Sequence, residues 1–252
     1  MAGRVKAKQS SDTVTPQLVL VIDEDEVAPA APGDAWDALL EEISHRPKRA
    51  TERKQDRSRR TEAQILNAAL RVFARDGISR SRIADIAAEA GISTSTLYEY
   101  YKSKEDLAYD VPMSHMAAFF DAYRNAVAGK TDARQRLTIY LAISADYARE
   151  NAEWARLLYL EIWPSVFVTE TEFRHSLNDF ARVVTYLLRQ GTQEGWVRPD
   201  RHVNESAALL IGGLNQTIIT WLMYRTPRNL TRSGAELAQR LIDLLALEAR
   251  QP

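Results

Sequence analysis

An all-α fold is predicted by three observations. From residue 61 onward apolar residues recur at the 3.6-residue helical period, no sustained apolar–polar alternation appears, and Gly–Pro clusters are few. The pattern places about nine helices, near 61–76, 82–90, 94–101, 104–128, 132–151, 153–168, 171–194, 203–224 and 233–249.

A chain of 252 residues with 45% hydrophobic content can build one large or two small cores. The net charge is −1, so a nucleic-acid partner would have to meet a local basic patch. Cysteine is absent, which excludes disulfides, thiolate zinc sites and cysteine nucleophiles and fits a reducing cytoplasm. The first 17 residues lack the apolar segment of an export signal, and no apolar run approaches a membrane span. A cytoplasmic protein without a membrane partner is expected.

Residues 1–55 read as a mostly disordered extension: polar, proline-bearing, with an acidic cluster at Asp23 to Glu26. Two islands interrupt it. Leu18 to Ile22 could form a short strand or a docking segment; Trp36, Leu39, Leu40 and Ile43 have the spacing of one short amphipathic helix. The extension either aids solubility and orders transiently or carries a partner motif. From Arg46 to Arg60 the charge reverses, with Lys48, Arg49, Arg53, Lys54, Arg57, Arg59 and Arg60 against only Glu52 and Asp56. Such a run is either a solvated linker or a segment that lies along DNA.

Thr61 with Gln64 three residues on, before Ile65, Ala69, Val72 and Phe73, reads as a capping box opening a helix that Gly77 closes. Ser81 is the expected cap of a second helix with Ile83, Ile86, Ala87 and Ala90 inward, followed at once by Gly91. Ser93 caps a third short helix, Thr94 to Tyr101, of which Leu97 and Tyr101 face the core. Two short helices joined by a glycine turn, the second rich in hydroxyls, suit a major-groove reader. Small Thr94 and Ser95 let the helix N-terminus come close to phosphate. Ser103 opens a fourth helix with a box to Asp106, and Lys104 lies in its first turn.

The run Asp85-Ile86-Ala87, then Ala90-Gly91-Ile92-Ser93-Thr94-Ser95-Thr96-Leu97-Tyr98-Glu99-Tyr100-Tyr101-Lys102-Ser103-Lys104-Glu105-Asp106-Leu107, resembles the N-terminal domain of the tetracycline-repressor (TetR) family. The resemblance covers roughly residues 58–110. It implies an N-terminal three-helix DNA-binding domain at 56–106, with a helix-turn-helix, and a C-terminal helical ligand-binding and dimerisation domain at 107–252. It also implies that Ser81 and Arg82 touch the backbone or a groove edge, that Thr94, Ser95 and Tyr98 carry recognition, and that Thr96, Tyr100 and Lys104 clamp phosphates. Arg59 and Arg60 join the DNA-facing set from the basic run. Arg82 stands where the family often has a hydroxyl residue, so it reads guanine or binds phosphate.

Beyond residue 110 no catalytic constellation appears: His45, His115, His175 and His202 are scattered, with no nucleophile motif or phosphate loop. An enzyme is not expected. Glu172, His175 and Asp179 share a helix face that is either a weak metal set or simply solvated; no metal and no cofactor is expected. Aromatic residues concentrate in the middle helices, and an apolar effector pocket is expected to use Tyr147, Leu158, Glu161, Trp163, Phe167 and Phe180. Glu161 either orients a ligand donor or sits at the rim beside an arginine such as Arg156. Pro164 should bend or end its helix.

Leu210, Leu214 and Ile218, with Leu237, Leu241 and Leu244, are expected either to form a homodimer interface or to cover their own core. Paired across a two-fold axis, these helices would set two reading heads about 34 Å apart on a palindromic operator. The expected function is a repressor of transcription released from double-stranded DNA by a small hydrophobic effector, an acyl chain, sterol-like compound or drug. The alternatives are a ligand-independent architectural DNA-binding protein and an interaction protein working through its extension.

Overall fold

The apolar periodicity resolves into ten α-helices and one π-helical turn among the described residues, which in this computed structural model are 34–44, 56–164, 171–198 and 202–246. All nine expected helices are present, and the amphipathic island in the extension forms a tenth. The apolar segment Leu18 to Ile22 and most of the basic run lie outside the described residues.

Helix α1 (Asp34–Ser44) buries Trp36, Leu40 and Ile43, which recur at i, i+4 and i+7, against the later helices α5 and α8. Helix α2 (Asp56–Asp76) starts five residues before Thr61, so the expected capping box is interior to the helix. No Gly or Pro interrupts Asp56 to Arg60, and an acidic first residue suits the positive end of the helix dipole. Gly77, at φ +79, closes α2 in the left-handed conformation that glycine adopts without a Cβ clash.

Helices α3 (Ile83–Glu89) and α4 (Thr94–Tyr98) follow, joined through Gly91 at φ +68. Ser93 caps α4 by accepting from the Thr96 backbone N–H at 3.0 Å, and Ser103 caps α5 (Lys104–Ala126) by accepting from Asp106 N–H at 3.1 Å. Helix α6 (Ala133–Glu150) is capped by Asp132, and α10 (Leu230–Leu245) by Asn229.

The helix expected over 153–168 is instead short. Helix α7 (Ala152–Arg156) passes into a π-helical turn, Leu157–Ile162, that ends just before Pro164. Pro164 cannot donate a backbone hydrogen bond and its ring crowds the carbonyl four residues back; the widened turn, in which Trp163 N–H donates to Leu158 O at 2.8 Å, relieves that crowding.

Helices α8 (Thr171–Gln193) and α9 (Val203–Tyr224) pack against one another, and α10 packs on α6 and α9. One continuous core results, running from Ile65 and Phe73 in α2 through Phe119, Tyr123, Tyr140 and Leu158 to Ile218 and Ile242. By length and composition α9 could cross a membrane, contrary to the sequence expectation; in this fold its buried residues pack on α8 and α10.

Candidate nucleic-acid interface and effector pocket

Helix α4 owes its orientation to two side chains. Leu97 and Tyr101 are fully buried beneath it, which turns Thr94, Ser95 and Tyr98 outward; Tyr98 is 51% exposed. The Ser93 hydroxyl lies 2.8 Å from both Ser95 Oγ and Thr96 Oγ1, so the N-terminal turn carries a connected cluster of hydroxyls around the cap. Arg59 and Arg60 are exposed on α2.

Helix α3 is braced against α2 by Arg71, whose Nε donates to Glu89 at 2.7 Å. Arg82 is the residue that precedes α3, exposed, with Nε and Nη2 donating to both oxygens of Asp85 at 2.9 and 3.0 Å. That paired hydrogen bond holds the Asp85 carboxyl below its usual range. The guanidinium is thus pre-oriented at the start of α3 while keeping an unused edge, which suits a phosphate or guanine contact.

Two sequence expectations for this head are corrected. Ser81 neither caps α3 nor faces outward: it is buried in the short turn after α2, where its hydroxyl donates to Gly77 O at 2.6 Å beside its own backbone N–H, which reaches the same carbonyl at 3.2 Å. Tyr100 is 6% exposed and packs in the core beside Leu97, since α4 ends at Tyr98 and the chain turns inward before α5. Neither is placed to touch DNA with its side chain. Lys104 does something the spacing could not reveal: its ammonium donates to the carbonyls of Ser79 and Ser81 at 3.2 and 3.1 Å. One of its three N–H groups remains for a phosphate.

A narrow pocket lies between α6, the π-helical turn, α8 and α9, with a cavity volume of about 20 Å³, room for roughly one water, so a larger occupant must widen it. Tyr140, Leu141, Leu158, Tyr159, Trp163, Phe180, Ile211 and Leu214 give it apolar walls, with Ser144 and Asn215 as polar exceptions. Leu158, Trp163 and Phe180 are therefore where the sequence expected them. Ser144 donates to Tyr140 O at 2.7 Å and is already satisfied. Asn215 was missed because α9 read as a dimerisation helix.

Glu161 is corrected: it is exposed and lies away from this pocket, where its carboxylate oxygens would be 3.4 and 3.6 Å from a Cβ placed on Gly77. The π-helical turn shifts the register, so Glu161 faces the reading head instead of Leu158's side. Tyr147 is corrected too. It sits one turn along α6, outside the pocket lining, packed on Phe119 at 5.6 Å and donating to His115 O at 3.0 Å, with His115 Nδ1 3.2 Å from its hydroxyl. Burial keeps His115 below its ordinary pKa and pushes Tyr147 up to about 12. Trp154 stacks on His115 at 5.6 Å. Phe167 lies outside the described residues. Of the weak metal set, Asp179 is buried and paired with Arg182 at 3.1 Å; the side chains of Glu172 and His175 lie outside the described residues.

Leu210, Leu214 and Ile218 are buried within the protomer, because they point from α9 into its own core, and Leu214 also lines the pocket. The outer face of α9 and α10 presents Leu209 at 46%, Met223 at 54% and Leu244 at 59% exposure, with Gly212 exposed and Leu237 and Leu241 half-buried. Of the residues expected either at a homodimer interface or over their own core, Leu244 is exposed, Leu237 and Leu241 are half-buried beside Gly213 of α9, and Leu210, Leu214 and Ile218 cover their own core.

Comparison with known proteins bears on both sites. A model described as "Bacterial regulatory proteins, tetR family" matches residues 65–111, and one described as "YsiA-like protein, C-terminal region" matches residues 113–245. The fatty acid metabolism regulator protein of Bacillus subtilis is 24% identical over 160 residues, 64% of this chain and 82% of that protein. The HTH-type transcriptional repressor KstR2 of Rhodococcus jostii is 31% identical over 150 residues, 56% of this chain and 69% of that protein. Among solved structures, the transcriptional regulator FadR of Bacillus subtilis in complex with stearoyl-CoA superposes with a TM-score of 0.67 at 23% identity, covering 72% of this chain and 97% of that one. With the helix-turn-helix in place and the two matches together spanning residues 65–245 almost without a break, the chain belongs to the tetracycline-repressor (TetR) family of bacterial transcription regulators.

Proposed function

We propose that this chain is a cytoplasmic homodimeric repressor that reads a palindromic operator with α4 and leaves it when a hydrophobic effector fills the pocket between α6, α8 and α9. The observation that carries the effector class is the wall of that pocket, eight apolar or aromatic residues against Ser144 and Asn215. An acyl thioester is the first choice, in keeping with the fatty acid metabolism regulator and the stearoyl-CoA complex among its relatives. Residues 56–106 form the reading domain and 107–252 the sensor. Thr94, Ser95 and Tyr98 contact bases, while Thr96, Arg59, Arg60, Arg82 and the remaining N–H of Lys104 hold phosphates.

Dimerisation uses the outer face of α9 and α10, where Gly212 permits close backbone approach and Leu237, Leu241, Leu244 and Met223 supply apolar area. For release, the effector must favour a spacing of the two heads that does not fit the operator. The test is fluorescence anisotropy of operator DNA bound by the purified protein, titrated with stearoyl-CoA. Release of the DNA by stearoyl-CoA, lost when Leu158→Glu blocks the pocket, supports the reading. Tight specific binding that no acyl-CoA or steroid shifts favours a ligand-independent architectural protein.

A further inference from the structure

Helix α1 lies before residue 65, where the family match begins. Yet it is seated as firmly as a core element. Trp36, Leu40 and Ile43 are 3%, 1% and 3% exposed. The Trp36 ring packs edge-on to Tyr123 at 6.0 Å and against Tyr186 at 5.4 Å, and the Arg136 guanidinium covers it at 4.8 Å. Glu42 accepts a two-pronged hydrogen bond from Arg182 on α8 at 2.9 Å each, and the Leu40 carbonyl accepts from Arg124 on α5 at 2.9 Å.

The seat is continuous with the pocket. Tyr123 packs on Tyr140 at 4.9 Å; Tyr140 is a pocket wall and lies 6.4 Å from Phe180, another wall. Helix α8 carries both Phe180 and the strap's anchor Arg182. Tyr123 and Tyr140 are 0% and 2% exposed, and Tyr140 is held between the pocket on one side and Tyr123 on the other. A pocket that must widen pushes Tyr140 or Phe180 toward the side already filled by Tyr123 and α1.

We propose that α1 is an internal strap, and that its docking on α5 and α8 opposes filling of the effector pocket through the Trp36–Tyr123–Tyr140 stack. The word effector rests on the function proposed above; the coupling itself does not. An isolated helix of 11 residues is unstable in water, so α1 is helical only while docked, and its amide protection reports docking directly. By reciprocity, whatever factor pocket filling takes from docking, release of the strap returns to ligand affinity.

The experiment is hydrogen exchange of the full-length protein, comparing residues 36–44 with α10, in wild type and in two variants that fill the pocket from within, Asn215→Trp and Ser144→Phe. Exposed Glu153→Trp on α7 serves as control. The strap predicts exchange in α1 at least about five-fold faster in the filled variants, with α10 and the control unchanged. Unchanged α1 exchange, or acceleration of α1 only in step with α10, overturns it. A reciprocal arm uses Glu42→Ala, which loosens the strap without touching the core: stearoyl-CoA should bind this variant tighter by a similar factor, and equal or weaker binding than wild type contradicts the coupling. If stearoyl-CoA binds neither protein, the acyl reading fails while the exchange result alone decides the strap.

Discussion

Lys104 Nζ donates to the carbonyls of both Ser79 and Ser81, tying the first turn of α5 to the loop that launches α3. The same helix, at its far end, carries Phe119, Phe120 and Tyr123 in the core of the C-terminal helices. Movement of α5 therefore pulls on the loop that sets the α3–α4 pair.

Lys104→Ala should weaken operator binding by more than about tenfold, because it misplaces α3 as well as removing a phosphate contact, and should flatten the salt slope by roughly one. Arg59→Ala or Arg60→Ala, which removes an exposed cation, should flatten the slope by roughly one each. A salt series of anisotropy titrations reads both effects; a lysine variant that loses no more affinity than the arginine variants do would assign Lys104 to phosphate alone.

Gly234 faces Ala145 across the α10–α6 contact so closely that a Cβ on it would collide with the Ala145 side chain. Gly234→Ala should lower stability by roughly 1–3 kcal/mol, on the order of 5 °C in Tm for a chain this long. Thermal unfolding by circular dichroism checks it. A gain in Tm, as expected where only helix propensity matters, would contradict the close approach.

His115 supplies a pH dependence. Its folded pKa is depressed by burial beneath the ordinary histidine value of about 6.5, so as pH falls the unfolded chain binds the proton first. Stability is complete above about pH 6.5 and declines as pH drops toward the folded value. His115→Gln, which keeps a donor for Tyr147, should flatten Tm in the window below about pH 6.5. A wild-type Tm that rises on acidification across that window would reverse the assignment.

Leu244→Glu, at a 59% exposed position of α10, should leave the protomer folded but shift it to monomer and reduce operator affinity by more than tenfold. Sedimentation velocity reads the first effect. A dimer that persists unchanged places the interface elsewhere.

Much of this architecture was legible in the sequence, because the signals were local. Helical periodicity, Ser93 and Ser103 as caps, and Gly77 and Gly91 as stops each act within a turn or two. The misplacements came from tertiary effects. Ser81 looks like a cap until the Gly77 carbonyl claims it, and Glu161 looks like a pocket residue until the π-helical turn rotates it toward the reading head. Leu210 and Ile218 share α9 with the exposed Leu209 and Met223, and only packing against α8 and α10 decides which stripe stays inside. The docking of α1 depends on Tyr123, Arg124 and Arg182, between 79 and 146 residues further along, beyond any local pattern.

The most direct measurement is selection of binding sites from random DNA by the wild-type protein and by Tyr98→Ala, followed by affinity for the selected sequence and for a scrambled one. The account predicts a palindromic site with half-sites about one helical turn apart, bound at least a thousand-fold, roughly, tighter than scrambled DNA. It predicts for Tyr98→Ala a loss of about 1–3 kcal/mol on that site and little on the scrambled one. Equal affinity for all sequences, or a selected site that Tyr98→Ala binds as well as wild type does, would contradict the claim that α4 reads DNA.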